Sequence, residues 1–229
     1  MTLDVFIGWD PREEAAFEVA AHSVTARASV PVTVHALKAE RLRADGLYWR
    51  EADPRASTAF TYTRFLVPRL MGYEGRALYF DCDFLWLADV ADLLAEAAAG
   101  RAVSCVQHDY RPRETTKMDG QPQSAYPRKN WSSLMLFDCG HLASRRLTPD
   151  YVNTASPADL HRFAWAADAE IGALDASWNW LEGWYDADAV PPRAVHFTRG
   201  GPWFDGWRDV AYAEAWQREY HAMKERRAR

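Results

Sequence analysis

The run Ala77-Leu78-Tyr79-Phe80-Asp81-Cys82-Asp83-Phe84-Leu85-Trp86-Leu87 decides how this chain is read, because two carboxylates stand in the middle of apolar sequence. Ala77 to Phe80 has the composition of a buried strand, and Phe84 to Leu87 resumes it after the break. If the backbone stays extended through the break, Asp81 and Asp83 project to the same side, since residues two apart share a face. Carboxylates placed together repel, and burying them without a partner is costly. A divalent cation bound by oxygens relieves both problems and can also grip a diphosphate; Mg²⁺ uses one or two carboxylates plus substrate phosphates in this way. The spacing alone is weak, and the chain carries its own control. Asp186-Ala187-Asp188 repeats it, but after Gly183, Trp184 and Tyr185 and before Pro191 and Pro192, a setting that reads as an exposed turn.

Upstream, Leu3 to Gly8 is a short apolar run ending at Gly. After Trp9, Asp10 and Pro11 comes a helical pattern from Glu13 to Ala26, and then a second β-like run, Val30 to Leu37. Pro11 near the helix start and the acids Glu13 and Glu14 in its first turn match N-terminal signals, because the macrodipole favours negative charge there. Strand, helix, strand at the N-terminus begins a parallel α/β sheet whose ligands sit at the carboxyl ends of strands, so Gly8 to Arg12 is a candidate ligand loop. Lys38 to Arg55 is polar and irregular, and Thr61 to Met71 reads as one helix ending near Gly72. Downstream, helices are expected at Asp89 to Ala98, Pro157 to Phe163 and Tyr212 to Arg227. Further strands are expected at Ala102 to Gln107, Leu134 to Asp138 and Ala194 to Phe197. Tyr110 to Lys129, rich in Arg, Pro and Gln, reads as a mobile loop. No repeat, low-complexity tract or linker divides the chain, so residues 1–229 are expected to form a single domain.

Composition narrows the function classes. The 229 residues are 48% hydrophobic with eleven Trp, enough for a full core. Twenty-seven basic against thirty-two acidic side chains give a formal charge of −5, without the basic stripe that nucleic-acid binding requires. No apolar run approaches the roughly 20 residues of a membrane span, and MTLDVFIGWD lacks a signal peptide's basic start, so the expected location is the cytoplasm. Three widely spaced cysteines, Cys82, Cys105 and Cys139, suggest reduced core thiols.

Tyr62-Thr63-Arg64-Phe65, followed after a helix-length gap by Ala77 to Asp83, resembles the family 8 glycosyltransferases of GT-A fold. In that family an Arg-bearing helix precedes an apolar strand ending in a DxD metal motif. Phe6 to Asp10 is similar to the family's nucleotide-binding strand and loop, and Val19 to Val24 to the helix behind it. His196-Phe197-Thr198-Arg199-Gly200-Gly201-Pro202-Trp203 is similar to the closing motif, a His followed by Gly and then Lys-Pro-Trp. These pieces run in order from residue 3 to about 207. The resemblance implies an α/β GT-A domain with a Rossmann-like, mostly parallel central sheet and flanking helices. It also implies a metal-dependent hexosyltransferase that moves a hexose from a nucleotide diphosphate sugar, UDP-linked in preference, to a saccharide or glycan hydroxyl with retention.

By the same resemblance Asp81, Asp83 and His196 bind the metal, and Asp81 also lies near the donor ribose. Arg64 contacts the diphosphate or the sugar, a role suited to a forked guanidinium. Gly8 and Asp10 hold base and ribose, and Arg199, Gly200, Gly201 and Trp203 line the donor side. Imidazole beside two carboxylates favours Mn²⁺ over Mg²⁺. The chain departs from the family in three places. Gly201 stands where Lys precedes Pro-Trp, with Arg199 as the substitute cation. Asn130-Trp131-Ser132-Ser133 replaces Asn-Ala-Gly, leaving Ser133 as the donor-contact candidate. Ala169 replaces the Gln after Asp168, and Asp168 keeps its match as the candidate catalytic and donor-hydroxyl residue.

Plainer readings stand beside these. A histidine in a strand-like run is commonly a satisfied core residue, His22 reads as packing or surface, and Trp178, Trp180 and Trp184 read as core. The terminal Lys224, Arg226, Arg227 and Arg229 read as a solvated helix end, with a weak hold on anionic lipid as the sharper alternative. Two other functions compete: a non-catalytic sugar-nucleotide-binding protein, given the lost Lys and Gln, and a Mg²⁺-dependent phosphohydrolase of haloacid dehalogenase type, in which the first Asp of DxD is the nucleophile.

Overall fold

The computed structural model describes residues 2–51, 53, 56, 58–109 and 127–228. In chain order the elements are β1 (Leu3–Gly8), α1 (Glu14–Arg27), β2 (Val32–Leu37), α2 (Ala39–Ala44), α3 (Val67–Leu70), β3 (Arg76–Phe80), β4 (Phe84–Trp86) and α4 (Val90–Glu96). They continue with β5 (Val103–Val106), β6 (Leu134–Asp138), α5 (Pro149–Thr154), α6 (Pro157–His161), β7 (Ile171–Leu174), β8 (Trp180–Leu181), β9 (Ala194–His196) and α7 (Ala213–Arg227). The main sheet has the order β2-β1-β3-β6-β5-β7. β6 runs antiparallel to both neighbours while the other pairs are parallel, the mostly parallel α/β sheet that the sequence leads one to expect.

Both faces of the sheet are buried at its inner strands β1, β3, β6 and β5, which is why these read as largely apolar runs, while edge strand β2 is half-exposed. Val5 and Ile7 of β1 join Leu78 and Phe80 of β3 in one core cluster; Phe6 joins Ala77 and Tyr79 in another. The first cluster is closed by α1, whose Ser23 hydroxyl accepts from the Trp86 amide at 3.1 Å.

The central motif is not one strand. β3 ends at Phe80, residues Asp81 to Asp83 turn, and Phe84 opens β4 in a second sheet of order β4-β9-β8. The turn is held at both ends: the Asp81 amide donates to Ser133 O at 3.0 Å, and the Phe197 amide donates to Asp83 O at 2.9 Å. The two aspartates are therefore brought together by a junction between sheets and not by the pleat of a continuous strand.

The helix expected over Thr61 to Met71 is also split, into a 3₁₀ turn, Thr63–Leu66, and α3. Pro68 explains the break. It fits the first turn of α3, where its missing N–H costs nothing, but would clash with the Arg64 carbonyl inside a longer helix. The 3₁₀ turn buries Thr63, Arg64, Phe65 and Leu66.

α7 packs on α1 through ionic contacts. Glu219 accepts from Arg27 Nη2 at 2.6 Å and lies 2.7 Å from His22 Nδ1, so His22 is a paired residue at a helix interface. Lys224 and Arg227 reach Glu18, which neutralises part of the basic cluster that suggested lipid contact; Arg229 lies outside the described residues. The loop expected over Tyr110 to Lys129 falls outside them through residue 126. No helix among the described residues is long and apolar enough to cross a membrane.

Candidate active site

The antiparallel pairing of β4 with β9 sets Phe84 opposite His196, one residue beyond Asp83. As a result Asp81, Asp83 and His196 each offer a ligand atom within 4.8 Å of the other two, although 113 positions separate Asp83 from His196. His196 is buried and stacked on Phe84, ring centroids 4.6 Å apart. Its Nε2 lies 3.3 Å from Asp83 Oδ2.

The other side of the imidazole is fixed by a chain of hydrogen bonds. Ser133 Oγ donates to Asn130 O at 2.6 Å, so it must accept from Asn179 Nδ2 at 2.8 Å. That turns the Asn179 carbonyl oxygen toward His196 Nδ1, 2.9 Å away, and places the ring proton on Nδ1. The Nε2 lone pair then faces the Asp83 carboxylate, a repulsive arrangement unless a proton or a metal ion lies between them. Two carboxylates and an imidazole locked by a neighbouring amide form a donor set that fits a divalent cation. Neither Asn179 nor this role of Ser133 is legible in the motif pattern.

Asp81 is tied from behind. Arg64 Nη1 lies 2.8 Å from its Oδ1, and the Tyr79 hydroxyl donates to the same oxygen at 2.7 Å. Burial nevertheless raises the Asp81 carboxyl above its usual range, with Asp83 adding to the effect and Arg64 opposing it. Arg64 is itself buried and donates to Ser132 O at 2.9 Å, so much of its hydrogen-bonding capacity positions Asp81. Behind it, His161 takes the Ser132 hydroxyl at 2.8 Å, and burial followed by the charges of Arg64 and Arg50 lowers its pKa to about 3.

Asp10 and Gly8 occupy the expected loop after β1. Asp10 Oδ1 accepts from the Arg12 amide and Nε, and Oδ2 from Arg12 Nη2 and the Ala59 amide, all at 3.0 Å. These contacts hold its carboxyl below the ordinary range in spite of burial. Gly8 is needed because a Cβ there would fall 2.5 Å from the Phe60 ring. Both residues thus shape the loop through protein contacts.

Glu13 also belongs to this region and carries no family motif. Burial, then the charges of Asp83 and Asp10, raise its carboxyl to about 8, with Arg12 opposing and Asp81 adding. His108, just beyond β5, is pulled down to about 3 by burial and by His196. Its Nδ1 lies 2.8 Å from the Tyr185 hydroxyl. Lys129 is buried next to Asn130, although it reads as the end of a loop.

The remaining predicted residues have protein partners of their own. Arg199 pairs with buried Glu182 at 2.9 Å and lies over the Trp207 ring, 5.6 Å from its centroid. Trp203 packs on Phe197 and Trp216, and its ring fills the space that a Cβ at Gly201, next to Gly200, would need. Asp168 is 89% exposed and pairs with Arg128. Asp186 and Asp188 are exposed and form no part of the triad, as their turn setting led one to expect.

The fold defines the class. The chain has the GT-A fold of glycosyltransferases: the bifunctional glycosyltransferase WbbM aligns with a TM-score of 0.68 at 14% identity over 98% of this chain and 51% of its own. GlyE of Streptococcus pneumoniae TIGR4 aligns at 0.64 and 13% over 99% and 63%. The galactosyltransferase LgtC, solved with donor and acceptor sugar analogues, aligns at 0.63 and 13% over 96% of both chains. The chain thus spans about half of WbbM and under two thirds of GlyE. No family model matches the sequence. The chain belongs to the family of Protein CDI of Arabidopsis thaliana, with which it is 50% identical over 219 residues, 94% of this chain and 85% of the relative.

Proposed function

We propose that this protein is a family 8 type glycosyltransferase that moves a hexose from a nucleotide diphosphate sugar, UDP-linked in preference, to a hydroxyl of a saccharide or glycan acceptor. The observation that carries the reading is the convergence of Asp81, Asp83 and His196 within 4.8 Å at the junction of the two sheets of a GT-A fold. Asp81, Asp83 and His196 would hold Mn²⁺ or Mg²⁺. When bound, the cation would neutralise charge growing on the departing diphosphate. Arg64 and Tyr79 keep Asp81 oriented, and Asn179 keeps His196 in the tautomer whose Nε2 is a ligand. No residue of the described site stands out as a nucleophile toward the sugar, so retention is assigned to front-face attack by the acceptor.

The test is a panel of nucleotide sugars incubated with Mn²⁺ and scored for slow hydrolysis without acceptor. Release of nucleoside diphosphate from one or a few donors, abolished by EDTA, is the expected result. Donor binding without release, and without acceptor-dependent turnover, would favour a non-catalytic sugar-nucleotide-binding protein. One observation speaks for that second reading: Arg199, the substitute for the family's Lys, is engaged by Glu182. Phosphate release from a simple phosphomonoester would instead revive the phosphohydrolase.

A further inference from the structure

Glu13 ends the 3₁₀ turn that joins β1 to α1. It is 2% exposed, and its Oε2 is buried with no hydrogen-bond partner among the described residues. Burying a carboxylate is costly, and the N-terminus of α1 offsets only part of the cost. The cost grows with the surroundings, because Asp83, Asp10 and Asp81 all act on its charge. After burial itself, Glu13 is also the group that weighs most on the buried Cys82 thiol, in the middle of the ligand turn. β1 and β3 run parallel side by side with Ile7 opposite Phe80. The turn after β1 that ends in Glu13 and the turn after β3 that carries Asp81 and Asp83 therefore leave the same edge of the sheet next to each other. Glu13 is not one of the three grouped donors. Packing alone gives no reason for an acid at this position, since Gln or Leu would fill similar space without repulsion.

We propose that Glu13 is a further carboxylate of the cation centre, holding a divalent ion from outside the Asp81, Asp83 and His196 triad. This rests on the metal-dependent reading above. Glu13 reads in the sequence as a helix-start acid, and its position in the first turn of the fold gives it a second use. Its negative charge raises the site's preference for a divalent ion, as carboxylates behind metal ligands commonly do.

The test is titration of the whole protein with MnCl₂, following free Mn²⁺ by electron paramagnetic resonance, with thermal unfolding of the metal-free protein measured in parallel. Glu13→Gln keeps the volume and removes the charge. Mn²⁺ affinity is expected to fall by roughly 10- to 100-fold, while the metal-free protein at pH 8 melts no lower than wild type, because a repulsion has been removed. Unchanged affinity overturns the proposal, and so does a variant that loses stability and affinity together. Should Glu13→Gln fail to fold, Glu13→Asp decides. Affinity between wild type and zero supports a role for the charge, and complete loss in a protein of wild-type stability contradicts it. A wild-type protein that binds no Mn²⁺ overturns the metal centre itself. Wild-type binding that is lost in Asp83→Ala but kept in Glu13→Gln overturns only the assignment of Glu13.

Discussion

Asp81 and Asp83 flank a buried cysteine in the turn that joins two sheets, while Asp186 and Asp188, at the same spacing, lie on an exposed turn. In the second pair the Asp186 side chain accepts from the Asp188 amide at 3.0 Å, a local turn contact that needs nothing further. In the first, the carboxylates meet His196 and Arg64 from two other stretches of the chain and Tyr79 from the strand just before them. Two acids at one spacing differ because one pair is desolvated and surrounded by groups that orient it. The motif supplies the residue types, and the fold decides whether they can act together.

The sharpest way to break this comparison is to remove one acid from each pair. Asp83→Ala is expected to weaken Mn²⁺ binding by more than about 100-fold, beyond the range seen for outer residues. Asp186→Ala should leave binding unchanged. Thermal stability measured with Mn²⁺ titration checks this: the metal-free Asp83→Ala protein should remain folded, since a carboxylate facing other acids has been removed.

Asn179→Leu comes next in size. It takes away the acceptor that keeps the proton on His196 Nδ1 and leaves Ser133 and His196 short of a partner inside the protein. Mn²⁺ affinity should fall roughly 10-fold or more, with a stability loss of about 1–3 kcal/mol seen in denaturant titration. A loss of stability with full affinity would mean that Asn179 only packs.

The pH dependence of the metal-free protein separates the two pairs more finely. Glu13 is raised by burial, Asp83 and Asp10 to about 8 from 4.5, and Asp81 is raised in the same direction. Each therefore binds its proton more tightly folded than unfolded. Their contribution to stability is complete below the unfolded pKa and is lost as pH rises toward the folded one. Metal-free stability should fall between about pH 4.5 and 8, each group setting a slope of at most about 1.4 kcal/mol per unit. Glu13→Gln should flatten this profile, and Mn²⁺ should reverse it by favouring the ionised forms. The smallest effect is expected at Asp188→Ala, within about 0.5 kcal/mol of wild type in the same melts.

Much of this was legible in the chain. β1 and β6 have the boundaries their apolar runs indicate, and the grouping of Asp81, Asp83 and His196 is the one that the ordered motifs imply once the family resemblance is drawn. What was hidden depended on tertiary pairing. β4 looks continuous with β3 because both are buried, and nothing local says that Phe84 joins a different sheet. β7 is four residues with a glycine, defined by its partner β5. Asn179 lies within a tryptophan-rich run whose apolar character masks its contacts with Ser133 and His196. Glu13 satisfies a helix-start pattern equally well whether it faces water or is buried, as it is here. Arg64 was legible as important, but its pairing with Asp81 required the 3₁₀ turn that Pro68 enforces.

The most direct test of the metal centre is a crystal of the protein soaked with Mn²⁺ and UDP, with data collected at the manganese absorption edge. The account predicts one anomalous peak bonded at about 2.0–2.3 Å to Asp81, Asp83 and His196 Nε2, with none at Asp186 and Asp188. Full Mn²⁺ occupancy elsewhere, with His196 hydrogen-bonded to Asp83 and no ion between them, would contradict it.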